Sequence, residues 1–148
     1  MKRFLVLLVF CTTISIAHSQ FSAGMHAGAS EKNVLIGFHT QYQFGNRFTP
    51  GFNMTTHVNN SDAAFFQTRF GFTIGNYRTG LSVLPYAGYS FRIQNIEKNN
   101  YGGNLCYGAQ LRYQISNIAL VYSDFNIPTP KTYLISVGIA GRLPLRYE

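Results

Sequence analysis

The chain has 148 residues, a formal net charge of +7 and only 11% charged residues, whereas about 25% is usual for a soluble domain. Phe and Tyr make up 16% of the residues, Trp is absent, and mean hydropathy is close to zero. Disordered chains are poor in aromatic residues, and a helical membrane bundle needs several long apolar runs, so this composition excludes both classes. The length supports one domain.

The first 19 residues have the pattern of a secretory signal peptide. Residues 1–3 are short and basic, residues 4–10 are uninterrupted apolar, and residues 17–19 place small side chains at the −3 and −1 positions. The apolar run is too short to span a bilayer. We therefore predict cleavage before Gln20, and a single domain over 20–148.

The two cysteines support this division of the chain. Acylation at Cys11 is an alternative to simple cleavage, but the bulky Phe10 before it counts against a lipoprotein signal. Cleavage before Gln20 leaves Cys106 as one buried free thiol, which excludes an intramolecular disulfide. A secreted chain without a disulfide needs another constraint, and a closed sheet would supply it.

Apolar and polar residues alternate with a period of two through almost all of 20–148, which predicts β-strands. The predicted strands cover residues 20–29, 33–44, 47–58, 63–74, 80–95, 100–115, 117–125 and 131–142. Small polar dipeptides at 45–46, 75–76 and 116–117 suit tight hairpins, and longer charged segments make the other connections. The sequence therefore predicts an all-β, up-and-down antiparallel barrel of about eight strands.

Two prolines fall inside predicted strands. Pro50 and Pro85 cannot donate to a strand ladder, and a closed barrel has no free edge where such a residue is tolerated. We expect a bulge or a shorter strand at each proline.

The composition of the polar strand face indicates which face meets lipid. That face carries Gly, Ser, Asn, Gln, His and a few Arg, and the acid nearest to a strand, Asp124, falls at a strand end. Soluble strands usually expose Lys, Glu and Asp, so we predict a polar interior and a lipid-facing apolar exterior. On this interpretation Phe70→Arg or Leu111→Arg costs about 2–4 kcal/mol, and Gln110→Ala costs little.

With these features, residues 20–148 resemble the small eight-stranded outer-membrane β-barrel proteins of Gram-negative envelopes. The resemblance rests on the signal end at 17–20, the eight alternating segments, the last strand from Tyr133 to Arg142, and aromatic residues near strand ends. The residues expected in interfacial girdles are Phe44, Phe48, Ile74, Tyr77, Tyr89, Phe91, Tyr101, Tyr122 and Tyr133. The resemblance implies location in the cell outer membrane, with membrane lipid and the outer-membrane assembly machinery as partners. The chain departs from the family at the C-terminus, where members usually end on an aromatic residue but Tyr147 is penultimate here.

Side chains on the polar face are the candidate functional residues. They are the lumen-lining candidates Arg69, Arg92, Arg112, Gln67, Gln110 and His39. The arginines either fill the narrow interior, bonded to Gln67, Gln94, Gln110 or Gln114, or they line a path for anions. Buried guanidinium groups without counter-charges are costly, and an inward-folded Glu31, Asp62 or Glu97 would relieve that cost.

Enzymatic, metal and nucleic-acid functions find little support. His26, His39 and His57 share the polar face but lie far apart in sequence without a nearby carboxylate, so we predict no metal site and no cofactor. His57 and Ser61 alone do not make a catalytic pair. Basic residues are scattered singly, so we predict no nucleic-acid binding.

The sequence therefore predicts a non-catalytic barrel with a structural, envelope-integrity or surface-interaction role, for which no surface partner is identified. Two alternatives remain open. One is a narrow pore or small-solute channel with an arginine-lined lumen. The other is a soluble periplasmic lipocalin-like barrel that binds an apolar ligand and turns its aromatic face inward.

Overall fold

A computed structural model describes residues 20–30, 33–45, 47–58, 63–75, 80–94, 100–129 and 132–144. The predicted signal peptide over 1–19 lies outside these residues. The strands are β1 (Gln20–Ser30), β2 (Asn33–Gln43), β3 (Phe48–His57), β4 (Ala63–Phe72), β5 (Ile74–Gly75), β6 (Leu81–Gln94), β7 (Asn100–Ser116), β8 (Ala119–Thr129) and β9 (Thr132–Pro144). No helix in the described part of the chain is long and apolar enough to cross a membrane.

The strands form one closed antiparallel barrel. Consecutive strands pair with each other except β4 and β5, which both pair with β6, and β1 also pairs with β9, so the described sheet closes on itself. The short β5 continues the register of β4 against β6, which makes β4 and β5 one strand of an eight-stranded barrel. The predicted fold class is confirmed. We call the barrel end at Ser30, His57, Gln94 and Thr129 the loop side, and the other end the turn side.

The two prolines sit in the barrel without the expected bulges. Pro85 lies within β6, and the ladder is interrupted opposite it, between Gly71 and Ile74, because proline has no N–H to donate. Pro50 pairs with Phe70 of β4, but the ladder between β3 and β2 stops at Gly51 and does not include Pro50. The bulges instead lie in β8 ladders, one opposite the end of β7 and one opposite the start of β9.

The two strand faces point as the alternation predicts. Met25 and Leu105 are 73% and 75% exposed on the outer wall, together with most other Phe, Ile, Val and Leu side chains. The interior holds buried Gln, Asn, Thr, Ser, His and Arg side chains. This orientation excludes the lipocalin-like alternative, because an apolar ligand needs the apolar face inside.

Interior rings lie against glycines on the next strand. Tyr86 is the cross-strand partner of Gly108, and Tyr122 is the partner of Gly138. A Cβ added to either glycine would lie 2.5 Å from atoms of the opposing tyrosine ring or hydroxyl group. Because glycine has no side chain, the tyrosine rings fit against Gly108 and Gly138 inside a narrow barrel.

The turn side carries the expected tight connection after β2. Gly45 has a positive φ of 55°, which favours glycine, and the amide of Phe44 donates to the carbonyl oxygen of Phe48 at 2.8 Å. Phe44 and Phe48 are exposed beside this turn, as an interfacial aromatic girdle requires.

Candidate functional site in the barrel interior

A buried ion pair crosses the middle of the interior. Arg69 on β4 donates from Nη1 to Oδ2 of Asp124 on β8 at 2.7 Å, and both side chains are 5% exposed. Tyr86 on β6 donates its hydroxyl to Oδ1 of the same carboxylate at 2.7 Å, and the Arg69 guanidinium stacks over the Tyr86 ring at 4.4 Å. Both carboxylate oxygens are thus bonded, and the buried cation is neutralised.

The expectation that no acid lies inside a strand is wrong at Asp124. The strand predicted to end at residue 125 continues to Thr129, so Asp124 lies in the middle of β8 with its side chain inward. The period of two through Leu120, Tyr122 and Asn126, all buried, was the available signal. Glu31, Asp62 and Glu97, the acids expected to fold inward, lie outside the described residues.

Gln67 links β4 to β8 next to this ion pair. Its Oε1 accepts from Nη2 of Arg69 at 2.6 Å and from Nδ2 of Asn126 at 2.8 Å. Gln67 has no measurable exposure to solvent. The guanidinium group of Arg69 therefore bonds a carboxylate and an amide at once, which fixes its orientation.

A second arginine lies closer to the turn side. Arg112 donates from Nε to Oε1 of Gln110 at 3.1 Å and from Nη2 to Oε1 of Gln41 at 2.6 Å. Gln41 in turn donates to Gln110 at 3.0 Å, so the three side chains form a closed triangle between β2 and β7. This triangle crosses the interior and surrounds one cation with neutral amide partners.

Sequence reasoning missed Arg142 on β9. This side chain is 7% exposed and donates to Oε1 of Gln114 at 2.7 Å and to Oε1 of Gln20. It lies in the last predicted strand with the same inward parity as Ser136, so the alternation could have identified it.

Two histidines lie in a small cluster between β1, β2, β3 and β8. Nδ1 of His39 bonds the hydroxyl of Tyr122 at 2.7 Å, and Nε2 of His26 bonds the hydroxyl of Thr55 at 3.1 Å. Tyr122 is 4% exposed and faces inward, so its assignment to an interfacial girdle was wrong. Among the described residues, no three His, Cys, Asp or Glu side chains are grouped to hold a metal ion.

The third predicted arginine lies near the loop side. Arg92 is half-buried and its Cζ lies 5.6 Å from the ring centroid of Phe65. Phe65 itself points inward and is 1% exposed, as is the free thiol residue Cys106. Phe65 has the same parity as Gln67 and Arg69, so the alternation that places Phe66 on the outer face could have identified Phe65 as an interior residue.

The described interior is therefore filled by hydrogen-bonded polar side chains. Its charged and amide groups bond one another across the barrel, and no described hydroxyl or thiol nucleophile bonds a histidine base beside an open cleft. Tyr122 bonds His39 and Thr55 bonds His26, but all four side chains are buried in the interior. The arrangement joins opposite strands across the interior, β4 with β8 and β2 with β7.

The sequence matches no protein-family model and no curated protein. Several solved structures share the fold. The N-terminal β-barrel domain of Pseudomonas aeruginosa OprF is 15% identical, with a TM-score of 0.61 over 82% of this chain and 97% of that chain. The designed barrel TMB2.3 is 16% identical, with a TM-score of 0.65 over 86% and 96%. Ail, the attachment invasion locus protein of Yersinia pestis, is 14% identical, with a TM-score of 0.54 over 86% and 99%.

At these identities the likeness concerns the fold. The two natural neighbours are small eight-stranded outer-membrane β-barrels, and their lengths are covered almost completely. The resemblance drawn from the alternating segments is confirmed at this level: the chain has the fold of the small outer-membrane β-barrels.

Proposed function

We propose that this protein is an outer-membrane β-barrel that acts without catalysis, as a structural element of the envelope or as a surface-interaction protein. The signal peptide predicted over 1–19 would direct it out of the cytoplasm. Membrane lipid would solvate its outer wall, and the outer-membrane assembly machinery would insert it.

The observation that carries this proposal is the opposite polarity of the two barrel faces. The outer wall is apolar over the length of the strands, as at Met25, Leu105 and Val137. The inner face is filled by bonded polar groups, with Arg69 and Asp124 at its centre. A closed barrel leaves no unpaired backbone donors for lipid, so this arrangement suits a membrane and leaves the loops as the surface for partners.

Cell fractionation with a heat-modifiability assay tests the location. The full chain, with its first 19 residues, is expressed in a Gram-negative host, and outer membrane and periplasm are compared on detergent gels before and after boiling. We expect an outer-membrane band whose mobility changes on boiling, because a closed barrel resists detergent until it is heated. A soluble periplasmic band would contradict the proposal.

A narrow anion channel is the second candidate function. Arg112 and Arg142 both lie inside the turn-side half of the barrel, and Arg112 donates hydrogen bonds to the neutral amides of Gln110 and Gln41. The channel would require the triangle of Arg112, Gln41 and Gln110 to open. Chloride conductance in planar bilayers that disappears in Arg112→Ala would favour the channel over the structural role, and a silent wild-type protein would exclude it.

A further inference from the structure

Among the nine buried side-chain polar atoms of the described residues that lack a hydrogen-bond partner, three lie toward the loop side of the interior. They are Nε of Arg92, Nε2 of His57 and Oγ of Ser90. Ser90 and Arg92 are two residues apart on the inner face of β6, and His57 is the last residue of β3. The other six atoms belong, except in Gln43, to side chains that form a hydrogen bond through another atom, whereas Arg92, His57 and Ser90 form none to any group that the structure describes. Buried polar groups are nearly always bonded, so three unbonded side chains at one end of the barrel indicate a site for an added partner.

Phe65 brings two of these groups to one place. The His57 ring lies 5.8 Å from the Phe65 ring between centroids, and Cζ of Arg92 lies 5.6 Å from the Phe65 centroid. Phe65 and Arg92 are also direct cross-strand partners between β4 and β6. The cation–π contact holds the guanidinium group at this level without using its hydrogen-bond donors.

The charge of Arg92 has no carboxylate to neutralise it within the described part of the chain. Asp124 is the one acidic residue there, and it is bonded to Arg69 and Tyr86. Arg92 is half-buried, so part of its side chain remains open to solvent. A guanidinium group offers parallel N–H donors that match the oxygen atoms of phosphate and sulfate groups.

We propose that Arg92, Ser90 and His57 form a binding site for a phosphate-type oxyanion, which enters from the loop side. Arg92 supplies the charge, and the Ser90 hydroxyl and the His57 ring nitrogen supply further bonds. The oxyanion is either a free ion or the phosphate of an anionic lipid headgroup. The site depends only on the barrel fold and goes beyond the proposed envelope role, so its failure would leave that role intact.

Binding is measured on the full chain, folded in uncharged maltoside micelles at fixed pH and ionic strength, by NMR of the His57 ring protons. One titration adds inorganic phosphate, and a second adds phosphatidylglycerol to the micelles. We expect a saturable change in the chemical shifts of these protons. Arg92→Gln should weaken the apparent affinity obtained from this change at least tenfold. The matched control is Arg47→Gln, which removes an exposed cation that stacks on Phe72 at the turn side.

The two titrations separate the sources of the anion. A response to inorganic phosphate assigns the site to free oxyanions, and a response to phosphatidylglycerol alone assigns it to a lipid headgroup. No response to either probe, or equal weakening in Arg92→Gln and Arg47→Gln, would overturn the proposal. If Arg92→Gln does not fold, Ser90→Ala is used in the same titrations, because it removes one hydroxyl group only. We expect Ser90→Ala to bind the anion more weakly than the wild-type protein.

Discussion

Tyr86 and Gly108 face each other across the ladder between β6 and β7, and the ring occupies the space where a side chain at 108 would lie. An added Cβ would come within 2.5 Å of the Tyr86 hydroxyl oxygen and would also meet the backbone oxygen of Phe125. That hydroxyl donates to Asp124. The absence of a side chain at 108 therefore allows Tyr86 to reach the buried carboxylate.

Gly108→Ala should destabilise the barrel. We expect a loss of about 1–3 kcal/mol, because the new methyl group overpacks a filled interior against a backbone atom that cannot move alone. Urea unfolding in lipid vesicles measures the change. Gly102→Ala on the same strand is the control, because a Cβ there meets nothing within 4 Å. Equal losses in the two variants would contradict the role assigned to the Tyr86 ring.

Asp124→Asn should be among the most damaging conservative substitutions. It leaves the Arg69 cation buried without a carboxylate, which costs about 3–5 kcal/mol when one partner of a buried pair is removed. The double variant Arg69→Met with Asp124→Leu should regain most of the loss, since apolar side chains often replace a buried pair without penalty. The urea midpoints of the wild-type protein, Asp124→Asn and the double variant measure both effects. An unchanged midpoint in Asp124→Asn would refute the ion-pair argument.

Leu111→Arg tests which residues face lipid. Leu111 is exposed in the middle of β7, and arginine near the bilayer midplane costs about 2–4 kcal/mol. Ile118→Arg in the exposed turn between β7 and β8 is the depth control, with an expected cost of about 0–1 kcal/mol near the interface. Both are measured by reversible unfolding from vesicles. An equal or larger loss in Ile118→Arg would contradict a membrane midplane at the level of Leu111.

Gln110→Ala should be costly, in contrast to the expectation from the sequence. Its Oε1 accepts from both Gln41 and Arg112, so the substitution leaves two buried donors without an acceptor, at about 1–3 kcal/mol for each neutral group. Thr68→Ala on the exposed outer face of β4 is the comparison, with little change expected. Similar midpoints for both variants in urea would mean that water replaces the lost acceptor.

The sequence by itself determined the strands and their faces. Strands predicted over 33–44 and 80–95 occur as Asn33–Gln43 and Leu81–Gln94, because alternation with a period of two is a local property of the chain. The same parity separates Leu111 from Arg112, since neighbouring residues of a strand point to opposite faces. Local signals failed at the end of β8, where Asn126 and Pro128 suggest a loop but lie buried in the strand.

Only the tertiary structure decided which interior groups bond each other. Arg69 and Asp124 are 55 positions apart, and Gln41 and Gln110 are 69 apart, so no local pattern relates them. Their meeting depends on strand stagger and on closure of β1 against β9 and β4 against β6, which set the height of each side chain in the barrel. The sequence therefore specifies that the interior is polar, and barrel closure determines the partner of each polar group.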